Sequence, residues 1–220
     1  MGFDMNAFSL AGKKAIVTGG AKKTGLCYGM AVALHDAGAE IVILDANSQV
    51  ENTVAELGGA KSGYHAVVAN LLDLNDLSNG FQQAISALGG RLDILVNGAG
   101  LQYRCPSEEF PEDAWDRIMG VNIKGVFFMS QLAGKVMLKQ GKGKIINIAS
   151  TNSFIGLRNM PAYVSSKGGV KQLTMALSSE WSGRGINVNA IAPGYMDTEM
   201  SKDLQQMEQG KQLTKRIPMG

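Results

Sequence analysis

Tyr163 and Lys167 stand four residues apart in the run AYVSSKGGV. Positions i and i+4 of a helix share one face, about a turn apart, so this spacing sets an ammonium beside a phenol. A phenol titrates near pH 10 and is a poor base at neutrality. A fixed positive charge favours the phenolate. Bringing such a phenol to neutrality takes roughly 4 kcal/mol of differential stabilisation. The chemistry in view is proton exchange with a hydroxyl or carbonyl oxygen. Tyr and Lys also meet at this spacing by chance in many helices, so the surrounding elements decide what the pair means.

Those elements read as an alternation of strands and helices. The runs Lys14 to Thr18, Glu40 to Asp45, His65 to Ala69, Leu92 to Asn97, Lys144 to Ala149 and Ile186 to Ala192 are rich in Val and Ile and apolar on both faces. That is the pattern of parallel strands covered by helices on both sides. Between them, Leu26, Met30, Ala33, Leu34 and Ala37 recur at helical spacing, as do Leu77, Phe81, Ile85 and Leu88, and Val170, Leu173, Leu177 and Trp181. Gly38 sits where a glycine closes the first of these helices. The alternation predicts a Rossmann-type α/β fold, a doubly wound parallel sheet in a single domain spanning residues 1–220. After Met200 the chain turns polar, and no seventh strand or final helix is expected before RIPMG.

The composition narrows the function classes. A chain of 220 residues buries about 70–75% of its extended surface, enough for a substantial core. The net charge of +2 and the lack of a basic run argue against nucleic acid. No apolar stretch approaches the roughly eighteen residues that span a bilayer, which argues against a membrane partner. The N-terminus carries no secretory pattern, and Asn6 stands where a myristoylation signal needs Ser or Thr. Cys27 and Cys105, with His35 and His65 isolated from them, offer neither a disulfide framework nor a metal site. A reducing, cytoplasmic setting is the expectation.

The first strand runs into TGGAKKTGLC, Thr18 to Cys27, and then into a helix. A glycine-rich turn from strand to helix is where backbone N–H groups meet a pyrophosphate. Gly19, Gly20 and Gly25 could equally make a plain tight turn, and the strand–turn–helix context is what favours a phosphate cradle. The second strand ends at Asp45, which could accept hydrogen bonds from an adenosine ribose and repel a 2′-phosphate, or could simply cap the next turn.

Taken together, these pieces resemble the short-chain dehydrogenase/reductases. The resemblance rests on the glycine loop, VNGAG at Val96 to Gly100, Asn122 in GVNIKG, IINIAS ending at Ser150, Tyr163-x-x-x-Lys167 and APGYMDT from Ala192 to Thr198. Their order spans nearly the whole chain. The flanking runs FSLAGKKAIVTG, FFMSQ and NVNAIAPGYM look most like the gluconate 5-dehydrogenase and 2-dehydro-3-deoxygluconate dehydrogenase branch. The resemblance implies an NAD(P)-dependent oxidoreductase acting on a secondary alcohol or ketone of a sugar acid, sugar or polyol. It implies Tyr163 as general acid/base and Lys167 as the group that lowers its pKa and binds the nicotinamide ribose. Ser150 would hold the substrate oxygen, and Asn122 would anchor a water in the proton relay. Gly19, Gly25, Leu26, Asp45, Asn70, Leu71, Asn97, Gly98 and Ala99 would line the adenosine and phosphate side, with Pro193, Gly194 and Thr198 at the nicotinamide. Arg104 could pair a substrate carboxylate. Plain alternatives stand beside these roles. Ser150 could cap the turn after its strand, Asn122 could bond its own helix backbone, and Arg104 and Arg158 could be solvated loop cations. The family also implies a homodimer or homotetramer, built on the helices around Asn122 and Tyr163.

The sequence departs from the family pattern in three places. The pattern TGxxxGxG fits the helix phase only if the loop is two residues longer. Gly25 then takes the second glycine position and Cys27 the third. The rival register, with Lys23 and Gly25 in those places, shifts every apolar helix position. A cysteine at the third glycine carries a Cβ into a close helix–strand contact, so the helix should stand off and dinucleotide affinity should fall. Gly98 replaces the second Asn of the more usual NNAG, at a cost of about 1 kcal/mol for a lost strand-bridging bond. Lys22 and Lys23 could meet a 2′-phosphate, while Asp45, followed by Ala46 and not by Arg, points to NAD over NADP. The third departure is the short C-terminus. A second reading follows from it and from the altered loop: a catalytically inactive dinucleotide-binding or regulatory protein.

Overall fold

The computed structural model describes residues 5–196 together with 198, 210, 212, 215 and 217. Six strands occur in chain order: β1 Lys14–Thr18, β2 Glu40–Asp45, β3 Tyr64–Val68, β4 Ile94–Asn97, β5 Gly143–Ile148 and β6 Ile186–Ile191. They are interleaved with helices α1 Leu26–Asp36, α2 Gln49–Glu56, α3 Leu74–Ala87, α4 Glu112–Met119, α5 Val126–Gln140 and α6 Pro161–Trp181. All five strand pairs are parallel, in the order β3-β2-β1-β4-β5-β6. The strand order reverses between β1 and β4. A crevice opens at the carboxyl ends of the strands at such a switch point.

Two-sided burial explains why the strands were readable. Ile41, Val42, Ile43 and Leu44 of β2 are all fully buried. Side chains alternate between faces, so Ile16, Val42 and Leu95 join one core with Phe81, Met129 and Trp181, under α3, α5 and α6. Ala15, Val17, Ile41 and Ile43 join the other, with Ala31, Val50 and Val54 of α1 and α2. Truncating Phe81 to Ala would cost about 3–5 kcal/mol. Strand β4 starts later than its apolar run suggests. The Leu92 backbone is occupied by the Gln140 side chain, which accepts from Leu92 N at 3.1 Å and donates to Leu92 O at 2.7 Å.

Helix α1 ends at Asp36 with Ala37 as its C-cap, and Gly38 follows with φ +107°. A Cβ there would fall 2.9 Å from Ala11 N, so this glycine is required by both backbone and space. The expectation for the chain beyond Met200 falls mostly outside the described residues.

Candidate active site

Loop 19–25 follows β1 with Gly19 at φ +82° and Gly20 at φ +111°. Gly25 is the N-cap of α1 and supplies no side-chain bond to the first turn. The first-turn N–H groups therefore face outward without a side-chain acceptor from their cap, which is the arrangement that binds phosphate. Helix α1 begins at Leu26, the register in which the loop is the longer one and Cys27 holds the third glycine position.

The loop opens on a cavity of about 900 Å³ at the carboxyl ends of the strands. Gly19, Gly25, Leu26 and Asp45 line it on one side, with Asn70, Leu71, Gly98 and Ala99 beside them. Ser150, Tyr163, Lys167 and Arg104 line the other side, and Pro193, Gly194 and Thr198 close it. Asn97 does not reach it. As the last residue of β4 it points to the α5 face, where its Nδ2 donates to Ser130 Oγ and Asn147 Oδ1, each at 2.9 Å. The expectation that Asn97 lines the adenosine side is corrected accordingly: strand alternation turns its side chain beneath the cavity floor. Leu71 lines the cavity but is itself only 6% exposed and belongs to the core.

Asp45 does two things at once. Its Oδ2 accepts from Ala21 N at 3.0 Å, and its Oδ1 accepts from Asn47 N at 2.9 Å. The turn-capping role is thus real, and the same carboxylate ties the glycine loop to β2 at the cavity wall. Lys23 pairs with Glu56 of α2, while Lys22 lines the cavity.

Asn122 lies in a π-helical turn, Gly120–Gly125, joining α4 to α5. Such turns concentrate at functional sites. Its Oδ1 accepts from Leu101 N at 2.8 Å, and its Nδ2 donates to Leu101 O at 2.9 Å and to Ser166 Oγ at 3.0 Å. Both amide hydrogens are therefore committed, and neither goes to its own helix backbone. Fully buried, Asn122 clamps the β4–α4 loop to α6 from behind the cavity.

Ser150 caps the short turn after β5, accepting from Asn152 N at 3.1 Å, and its hydroxyl is near enough to Tyr163 to favour the phenolate. Lys167 is 5% exposed, its Nζ donates to Ile148 O at 2.6 Å, and it stands 5.8 Å from the Tyr163 ring centroid. The electrostatics differ from the simple picture of an ammonium lowering a phenol. Burial pushes the Tyr163 hydroxyl above its usual value, opposed by Ser150 and Arg104. Burial likewise pushes Lys167 down to about 8. In each group desolvation is the largest effect, because burial disfavours the charged form of both a phenol and an amine.

Three residues escaped the sequence reading. Tyr195 lines the cavity close enough to raise the Tyr163 pKa. Its position inside APGYMDT was the available signal. Thr18 Oγ1 accepts from Gly98 N at 3.0 Å and Ala99 N at 3.2 Å, and so ties β1 to the loop after β4. Ser166, the partner of Asn122, carried no signal in the sequence.

A parallel sheet with its glycine loop at the switch point, and a Ser–Tyr–Lys set on one cavity wall with Ser150 and Lys167 buried and Tyr163 half-buried, define a nucleotide-dependent oxidoreductase. The family model described as short chain dehydrogenase matches residues 13–209, and the chain belongs to that family. It is 43% identical to the 2-dehydro-3-deoxy-D-gluconate 5-dehydrogenase of Escherichia coli, over 98% of this chain and 85% of that protein. It is 36% identical to a gluconate 5-dehydrogenase of Gluconobacter oxydans, over 97% of this chain and 83% of that one. Among solved structures, a gluconate 5-dehydrogenase of Burkholderia cenocepacia in complex with NADP and tartrate aligns with a TM-score of 0.89 and 33% identity, covering 96% of this chain and 82% of that one. The protein is an NAD(P)-dependent oxidoreductase acting on CH–OH groups.

Proposed function

We propose that the chain interconverts a secondary hydroxyl and a ketone on a sugar acid, with Tyr163 as the proton-transferring group. The convergence of Ser150, Tyr163 and Lys167 on one cavity wall carries this reading. The cavity suits a dinucleotide: at about 900 Å³ it runs from the glycine loop and Asp45 to Tyr163, Lys167 and Pro193. Gly19, Gly25, Leu26 and Asp45 would hold its phosphate and adenosine portions, and Lys167, Pro193, Gly194 and Thr198 the nicotinamide half. Bound there, the nicotinamide supplies the hydride acceptor or donor.

The protein supplies the proton. Ser150 Oγ holds the reacting oxygen, and Tyr163 Oη gives it a proton as the ketone is reduced or takes one as the alcohol is oxidised. Burial keeps Tyr163 protonated at neutral pH, so it serves there as the acid, and oxidation should speed up as pH rises toward its titration. Asn122 keeps the Leu101 backbone and Ser166 in place. Arg104 lines the cavity near Tyr163 and pairs the substrate carboxylate. Asp45 favours NAD, since a 2′-phosphate beside a carboxylate is repelled and Lys23 is engaged with Glu56. The enzyme works as a homodimer or homotetramer in the cytoplasm. No helix among the described residues is long and apolar enough to cross a membrane.

The test follows the absorbance of reduced nicotinamide with a panel of sugar acids and polyols, using NAD and NADP. Turnover of a sugar acid is expected, with NAD giving the higher kcat/KM. Asp45→Asn should narrow that preference, and Arg104→Gln should raise KM for acids but not for neutral polyols. NADH binding without turnover of any compound would overturn the reading.

A further inference from the structure

Two departures from the family pattern meet in space. Cys27 sits in the first turn of α1, and its Sγ lies against both glycine loops. A Cβ built on Gly98 would fall 2.4 Å from that sulfur, and one on Gly19 would fall 3.3 Å from it. Gly98 does not have the positive φ that would demand glycine, so its backbone tolerates a side chain. The Thr18 carbonyl, at 3.1 Å from the same Cβ, needs to give only a few tenths of an ångström. The nearest obstacle at position 98 is the sulfur.

We propose that Cys27 and Gly98 form one steric unit: the thiol fills the space vacated at residue 98 and sets the spacing between the first turn of α1 and the β4–α4 loop, and thereby the dinucleotide cradle. Cys27 is a positioning residue, acting through the α1 N-terminus and not on the reacting atoms. Burial pushes its thiol up to about 11, so it stays a neutral wedge at working pH. Each substitution is unfavourable in the other's absence. A cysteine facing a residue with a side chain would overpack the contact, and a glycine facing Gly98 would leave it hollow. The expectation that Cys27 simply weakens cofactor affinity is therefore replaced. The proposal rests on the cavity's being the dinucleotide site.

A double-mutant cycle tests it, with Cys27→Gly, Gly98→Ala and the double variant, each followed by NADH titration and by thermal melting without nucleotide. NADH binding by the native protein comes first, since its failure would sink the dinucleotide site itself and not the coupling. Gly98→Ala is expected to weaken NADH binding by about tenfold and Cys27→Gly by about threefold, with the double variant back within about twofold of native, because contacting residues couple. Melting temperatures should follow the same order. The dinucleotide KM should move with little change in kcat, which a general loss of fold would not produce. If Gly98→Ala folds too poorly to titrate, recovery of folding in the double variant is the supporting result. Additive effects, or native-like binding by Gly98→Ala alone, would overturn the proposal.

Discussion

The two ends of the parallel sheet treat polar groups in opposite ways. At the amino end, the carboxylates of Asp93 and Glu40 are answered within the chain. Asp93 accepts from Lys14 N at 3.0 Å and from the Arg91 guanidinium at 2.8 Å. Glu40 takes the Lys14 ammonium and His65, and these partners, Lys14 foremost, hold its carboxyl below the usual range. At the carboxyl end, burial prevails. Tyr163 is pushed up, Lys167 is pushed down, and Asn97 Oδ1 is buried with no partner. Even the shared device differs. Gln140 and Asn122 each grip a backbone residue in both directions, but Gln140 closes off a strand start while Asn122 steadies a cavity wall. One end is built for the fold. The other holds groups away from their preferred charge states, as sites that perform chemistry commonly do.

The largest effect should come from Tyr163→Phe. Removing the proton-transfer group is expected to lower kcat by about 10³–10⁴-fold, within the range of general acid–base catalysis. NADH affinity, measured by fluorescence titration, should stay within about twofold, because the ring remains. A variant that keeps full activity would remove the distinction between the two ends.

Lys167→Met should show the cost of the site directly. Turnover falls by more than about a hundredfold, yet the protein becomes more stable at pH 7. The fall from 10.5 to about 8 corresponds to a penalty of order 3 kcal/mol, reduced by the lost bond to Ile148 O. The pH dependence has a definite sign. Between about 8 and 10.5 the unfolded chain holds this proton and the folded one does not, so native stability should rise with pH across that window. Urea unfolding at pH 7 and near pH 9.5 should show that rise in the native protein and not in the variant.

The sequence made the strands easy to read and the site's electrostatics hard. Strands such as β2 announce themselves because a buried parallel strand is apolar at every position. The Tyr163–Lys167 pair was legible because helical spacing fixes which face they share. What spacing does not contain is depth, and depth is what raises Tyr163 and lowers Lys167 through desolvation. Asn122 was readable as a helix residue, but nothing in GVNIKG specifies a π turn. Asn97 was misplaced because a strand's last residue can face either the crevice or the helices, and only register decides. Cys27 and Gly98 each looked like a defect alone, and only the fold brings them into contact.

At the amino end the same kinds of substitution should touch stability alone. Asp93→Ala strips the Lys14 N–H and the Arg91 guanidinium of their acceptor at a site only 6% exposed. A loss of about 1–3 kcal/mol is expected, mainly the cost of leaving the Lys14 N–H unsatisfied, since the Arg91 side chain is 43% exposed and turns to water. Both kcat and KM should stay within about twofold when assayed below the new melting temperature. A large loss of kcat would mean that the two ends are coupled through β4.

The smallest effect should be that of Glu40→Gln. Lys14 and Glu40 retain 27% and 30% side-chain exposure, so their ion pair is partly screened and worth at most about 1 kcal/mol. Its pH slope has the same sign as that of Lys167, because both folded values lie below the unfolded ones, but here it is the charged form that the fold favours. A carboxylate held below its unfolded value contributes stability above that unfolded value and loses it as pH falls through the folded one. Acid unfolding should therefore begin at higher pH in the native protein relative to its own plateau than in the glutamine variant, with activity at neutrality unchanged. Since the Lys167 charge opposes folding and the Glu40 charge supports it, neutralising them should shift stability in opposite directions. Shifts of the same sign would show that the ends of the sheet do not divide fold from function in this way.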